Sequence, residues 1–236
     1  MNFYPRIFSF RQCSDSTAAS DCGCPLRVPL EPIHRQCNIW NCLVLHVVNQ
    51  MSEMVRAFLS IDIENQSVIQ QISETQNMLD TNLAKMKLVE IENIHFTLRF
   101  LGDTPPAKID EVESSLSQIK LDPFDIAVHG VGAFPNNRRP RVIWIGVTQN
   151  ADRIQNLKAE IDSRLKGLGF HPEKKRFTPH ATIAQVRFIK DAEGLSRNLG
   201  EIMNKPIGTM TVSRFNMKKS TLTPSGAIYE TLWHVP

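Results

Sequence analysis

No cysteine follows Cys42 in this 236-residue chain. Nothing downstream of it can be held by a disulfide or by thiolate-bound zinc. The apolar run 39–48 falls short of the roughly 20 residues that a membrane-spanning helix needs. Charge of one sign is also scarce, at +3 for the whole chain. Residues 1–53 hold four basic and four acidic side chains, so the entire excess lies beyond them. So mild a balance permits a polyanionic ligand and gives no support to avid duplex binding. No two histidines stand at helical ligand spacing, and no acidic pair accompanies a histidine, so neither a metal nor a cofactor is expected. With no recognisable targeting or membrane segment, a cytoplasmic protein without membrane contact is expected.

Residues 1–53 differ from the rest. They hold all five cysteines, Cys13, Cys22, Cys24, Cys37 and Cys42, together with four prolines and no convincing periodicity. Three readings compete. Cys22 and Cys24 with Cys37, Cys42 or His34 match no standard zinc spacing. A disulfide module is disfavoured by the odd number of cysteines. The third reading, a disordered extension or translation upstream of the functional start, is the one expected here.

Residues 54–236 are long enough for one domain with a substantial core. Within them the order of elements repeats. In the first part, 54–63 alternates as a strand, 66–85 has helical spacing, 93–101 reads as a strand, 105–119 as a helix and 124–131 as a strand. In the second, 141–148 is β-prone, and 151–168 places Ile154, Leu157, Ile161, Leu165 and Leu168 on one helical face before Gly169. Strand 180–188, helix 191–203 and strand 207–217 follow, and 227–235 closes the chain. The pattern is a β-α-β-α-β unit used twice, with pseudo-repeats at about 54–133 and 140–236. Such units pack about a pseudo-two-fold axis.

Corresponding strands of the two repeats open on His95-Phe96-Thr97-Leu98 and His180-Ala181-Thr182-Ile183. Residues two apart on a strand face the same side. Each motif therefore presents an imidazole and a hydroxyl together, with Phe96, Leu98, Ala181 and Ile183 turned to the other layer. Two groups that exchange protons near neutral pH, with two neutral donors, suit the opening or closing of a phosphodiester without a metal. The remaining histidines have no threonine partner and no repeat equivalent: His129, in an apolar strand, is expected to be structural, His171 falls in a loop after Gly169, and His234 lies in the last strand.

These motifs, with RAFLSIDI at 56–63, HFTLRFLGD at 95–103, GAFPNNRRPRVIWIGV at 132–147, RFTPHATIA at 176–184 and KSTLTPSGAIYE at 219–230, resemble the RNA 2′,3′-cyclic phosphodiesterases. These are also called the 2′-5′ RNA ligase family, of the two-histidine phosphoesterase superfamily. The resemblance runs from about residue 54 to the C-terminus. It implies an α+β, internally duplicated bilobal fold, with two antiparallel-rich sheets facing a central cleft and helices outside. It implies hydrolysis of terminal 2′,3′-cyclic phosphates on RNA, tRNA halves among the candidates, to 2′-phosphomonoesters, together with reversible 2′-5′ ligation of RNA ends. It makes His95 the proton donor, His180 the proton acceptor, and Thr97 and Thr182 the phosphate-binding residues. One departure stands out: the family often carries a basic residue where this chain has Gln185.

Candidate RNA contacts are Arg99, which on a regular strand shares the face of His95, and Arg138, Arg139 and Arg141 in a Pro-flanked loop. Lys174, Lys175 and Arg176 precede the second motif, and Tyr229 is a candidate lining residue. Phe177 and Trp144 are possible base-stacking groups, with core packing the expectation for Trp144. A monomer is expected, because the duplication supplies a two-fold groove within one chain. The alternatives are a 2′-5′ oligonucleotide or cyclic-nucleotide phosphodiesterase, and a non-catalytic nucleotide- or RNA-binding module of the same fold.

Overall fold

In β1 (Val55–Asp62), Ala57, Leu59 and Ile61 enter a helix-covered core, yet Phe58 and Ser60 on the opposite side are buried as well. The sheet is therefore covered on both faces at this strand. The computed structural model describes residues 54–173, 175–224 and 226–236. The five cysteines, His34, the run 39–48 and Lys174 lie outside the described residues.

Helix α1 (Gln66–Asn77) starts at Asn65, whose side chain accepts from the Ser67 and Val68 amides. It ends well before residue 85. Asp80 accepts from the Asn82 amide in a local turn, and this turn chemistry overrides the apolar spacing that continued past it. A short strand the periodicity did not reveal follows, β2 (Ala84–Leu88). Then come β3 (His95–Thr104), α2 (Pro106–Leu116), β4 (Phe124–Phe134) and β5 (Val142–Val147). The chain continues through α3 (Ala151–Gly167), β6 (His180–Ile189), α4 (Ala192–Ile202) and β7 (Pro206–Val212). It finishes with β8 (Phe215–Leu222) and β9 (Ala227–Val235). The expected single strand 207–217 is thus two strands, broken at residues 213–214, where no glycine or proline marks the turn.

The strand order is β7-β4-β5-β6-β3-β1-β8-β9, with β2 on β6, and every pairing is antiparallel. The order reads as a palindrome about its centre, so β6 corresponds to β3, β5 to β1, β4 to β8 and β7 to β9. The spatial counterpart of β4 is therefore β8, whereas sequence order alone matches it with β7. Each wing of the sheet takes strands from both halves of the chain. Helices cross over too: α1 packs on β7 and β6, and α3 packs on β3 and α2.

The two antiparallel wings meet at one residue pair, Phe96 opposite Ala181. Beyond it they part, and β2 takes over the edge of β6. Phe96 and Ala181 are both fully buried and point to the helices. Their neighbours in the two motifs must therefore point the other way, into the space between the wings.

Candidate active site

An antiparallel pair at Phe96 and Ala181 sets His95 alongside Thr182 and Thr97 alongside His180. The four groups thus form a quartet with histidines on one diagonal and threonines on the other, related by the pseudo-two-fold axis.

Both imidazoles are oriented by the same device. Nδ1 of His95 lies 2.9 Å from the Asn93 carbonyl oxygen, and Nδ1 of His180 lies 2.7 Å from that of Thr178. A carbonyl only accepts, so each Nδ1 carries a proton and donates it. Nε2 of each ring is left as the atom available to a ligand.

The surroundings of the two rings differ. Phe58 stacks on His95 at 4.9 Å, and Tyr229 meets it edge-on at 5.2 Å. Asp62 is the register partner of His95 on β1. Lys218 Nζ reaches Asp62 Oδ2 at 2.7 Å, and Ser60 Oγ donates to Asp62 Oδ1 at 3.1 Å. In the other wing Gly146 occupies the place of Asp62. His180 is contacted by Phe134 at 5.0 Å and Trp144 at 5.9 Å. The indole lies across Gly132, where an added Cβ would stand 2.3 Å from the ring. Trp144 is therefore on the cleft side and not in the helix-covered core as expected. Each histidine thus has two aromatic neighbours, and His95 alone has the Asp62–Lys218 ion pair beside it as well.

Burial pushes the pKa of His95 down to about 4, with Lys218 adding to the fall; Asp62 and the Asn93 carbonyl act in the opposite direction. The ring is neutral at pH 7 in the free protein. Between the ordinary value of 6.5 and about 4, the unfolded chain binds this proton and the native state does not. Native stability is therefore highest above pH 6.5 and declines as the pH falls towards 4, on the order of 3 kcal/mol in full. Urea unfolding at pH 7 and pH 4.5 should show His95→Gln losing less stability than wild type over this interval. Equal losses would show that His95 is not the group responsible. Burial also raises the Tyr229 hydroxyl pKa, so the phenol stays protonated.

Each motif strand carries an extra residue just past the motif. Leu59 faces Arg99 and Ser60 faces Thr97, passing over Leu98; Ile143 faces Ala184 and Trp144 faces Thr182, passing over Ile183. This bulge reverses the alternation. Leu98 with Arg99, and Ile183 with Ala184, all turn to the helices. The expectation that Arg99 shares the face of His95 is thereby corrected. Arg99 is 5% exposed and lies against α3, where it meets Asp162 at 3.7 Å and Glu173 at 3.5 Å and donates to the His171 carbonyl.

The other candidates fall in three places. Tyr229 is beside His95. Arg138 and Arg139 are exposed in the loop after Phe134, their amides donating to Asn136 Oδ1, and exposed Arg141 follows just before β5. Arg176, Lys175 and Phe177 line an open cavity with Lys158, Asp162 and Glu173 of the α3 side, away from the motifs. Asp62, Lys218, Phe58 and Phe134 emerge only from the strand pairing. Asp62, Phe58 and Phe134 lie within the strings that carry the resemblance, but their nearness to the histidines is long-range. Among the described residues no cluster of three His, Cys, Asp or Glu side chains is placed to hold a metal ion. No described helix is long and apolar enough to cross a membrane.

Two oriented imidazoles and two hydroxyls stand about a pseudo-dyad, with no carboxylate in the quartet: groups that can give and take protons and hydrogen-bond an anion. The family model for LigT-like phosphoesterases matches this chain twice, over residues 61–144 and 145–229. A protein named RNA 2′,3′-cyclic phosphodiesterase from Methanothermobacter thermautotrophicus is 37% identical over 177 residues, covering 74% of this chain and 95% of the relative. Its namesake from Aeropyrum pernix is 39% identical over 150 residues, covering 64% of this chain and 85% of the relative. The solved structure of E. coli LigT complexed with 3′-AMP shares the fold, with a TM-score of 0.62 at 22% identity over 77% of this chain and 97% of that one. The chain belongs to the LigT-like phosphoesterase family.

Proposed function

We propose that this protein hydrolyses RNA ends bearing a 2′,3′-cyclic phosphate to 2′-phosphomonoesters. The observation that carries the reading is the diagonal quartet, two imidazoles and two hydroxyls brought together by the Phe96–Ala181 pairing, which supports a single phosphate between them. Thr97 and Thr182 approach its non-bridging oxygens from opposite strands, where charge gathers in the transition state. Water attacks phosphorus as one Nε2 takes its proton, and the P–O3′ bond breaks as the other gives a proton to O3′.

The family resemblance makes His95 the donor and His180 the acceptor. His95 must then gain its proton before the reaction, against the burial that holds it neutral. An incoming phosphate supplies the negative charge that favours the imidazolium. Substrate binding and proton loading are thereby coupled at His95, and a proton is taken up as the cyclic end enters. With the 5′-hydroxyl of a second RNA end in the place of water, the same groups would form a 2′-5′ phosphodiester as the P–O3′ bond breaks and O3′ takes the proton. Both motifs come from one chain, so we take the acting unit to be a monomer, in the cytoplasm, working without a metal.

The test is a short RNA ending in a 2′,3′-cyclic phosphate, incubated with protein and EDTA. Release of a 2′-monophosphate is the expected result. A 3′-monophosphate would place the wrong oxygen at the donor. Loss of activity with chelator would mean a metal-dependent reaction, and binding without turnover a non-catalytic module.

A further inference from the structure

We infer that the open face of β6 and β2 beyond the second motif is a track for single-stranded RNA, holding the nucleotides upstream of the cyclic end. This rests on the function proposed above and extends its site. On β6, Ala181, Ile183, Ala184 and Val186 are buried towards the helices, which leaves Gln185, Arg187 and Phe188 on the face of His180 and Thr182. On β2, Ala84 is buried and Met86 and Leu88 pack on the core, so Lys85 and Lys87 turn to that same open face. The register places Lys87 opposite Gln185 and Lys85 opposite Phe188. A second bulge, at Arg187, keeps Arg187 and Phe188 together on the open side.

The composition of this face is what single strands require. A phenyl ring, Phe188, is 64% exposed and stands among Lys85, Lys87 and Arg187. Burial in a core would hide such a ring, whereas a stacking platform needs it open. Every base offers a flat face to stack, and cations beside the ring follow the phosphates. Lys87 is paired with Glu90 at 3.2 Å. Lys85 and Arg187 make no ion pair with any described residue.

The track is continuous with the quartet. From Thr182 to Phe188 the strand spans roughly 20 Å at ordinary rise, room for a few nucleotides. The hairpin of the other wing walls it at its inner end: a Cβ added at Gly226 would stand 2.8 Å from Lys87 Nζ. Cations on the adjoining strand thus flank Gln185, itself uncharged. A duplex would present rigid paired backbones; a narrow strip with one exposed ring fits a single strand better.

The experiment compares wild type with the triple variant Lys85→Ala, Arg187→Ala, Phe188→Ala. The substrates are adenosine 2′,3′-cyclic phosphate and a ten-nucleotide RNA ending in a cyclic phosphate. Wild type should favour the decamer in KM by roughly tenfold, an advantage that shrinks at higher salt. In the variant this preference should vanish while turnover of the cyclic mononucleotide stays within about twofold, as expected for a contact remote from the reacting phosphate. A variant that keeps the wild-type preference, or a wild type with none, would overturn the track. Fluorescence anisotropy of a labelled decamer ending in a 3′-hydroxyl reads the track without chemistry. Weaker binding by the variant would support it even if no cyclic end is hydrolysed, and equal binding would sink it.

Discussion

Alanine at His95 or at His180 should lower kcat on a cyclic-ended RNA by about 10³-fold or more, each alone and with the protein folded. Each replacement removes one of the two proton carriers. The two losses should not multiply in the double variant, because attack and departure belong to one concerted proton relay. Thermal unfolding separates loss of chemistry from loss of fold. Both rings lie at the start of their strands on the cleft side, so their removal leaves the helix-covered core intact. Retention of more than a tenth of wild-type kcat in either variant would mean that the quartet is not the reacting site. The profiles of the single variants should also differ. In the mechanism proposed above His95 gains its proton with the substrate, so His180→Ala should still take up a proton on binding, measurable by calorimetry in buffers of different ionisation enthalpy. His95→Ala should abolish most of that uptake.

The parts of this protein written in local pattern were open to reading from the chain. The helical stripe of Ile154, Leu157, Ile161 and Leu165 predicts α3, and all four residues are buried along it. The two motifs predict their own alternation, and Phe96 and Ala181 turn into the core while the histidines turn out. Pattern failed where chain geometry changed without a marker residue. Nothing at Leu98 or Ile183 announces an extra residue, since both are ordinary strand formers, yet each shifts the alternation that follows it. The turn at residues 213–214 is equally unmarked. Partnership between wings was hidden for another reason. Asp62 and Lys218 are separated by most of the domain in sequence and meet only because β8 pairs with β1. Trp144 reads as a core residue from its apolar neighbours, and only the open backbone at Gly132 lets its ring lie on the cleft face.

The reversed Arg99 leads to the second large effect, on stability. Arg99→Met should destabilise the protein by about 3 kcal/mol, the lower part of the range for breaking a buried ion pair. Its guanidinium belongs to a cluster of two cations and two anions. Lys158 Nζ lies 2.6 Å from Asp162 Oδ2 and 3.1 Å from Glu173 Oε2, and Arg99 completes the set from β3. Removing Arg99 leaves Lys158 alone to balance both carboxylates. The partial exposure of Asp162 and Glu173 eases that imbalance, which is why the upper part of the range is not expected. Methionine fills most of the volume, so the loss reports charge more than packing. In a domain of this size the midpoint should fall by roughly 10 °C. The double variant Arg99→Met, Asp162→Leu restores charge balance within the cluster and should recover a large share of the loss; a further fall would mean that the pair contributes through packing alone. Activity should fall as well. Arg99 also holds the His171 carbonyl and Glu173, in the segment that leads into His180. One side chain four residues past His95 thus braces the approach to the second motif, and its removal should lower kcat at temperatures well below the new midpoint while leaving KM for the cyclic mononucleotide nearly unchanged.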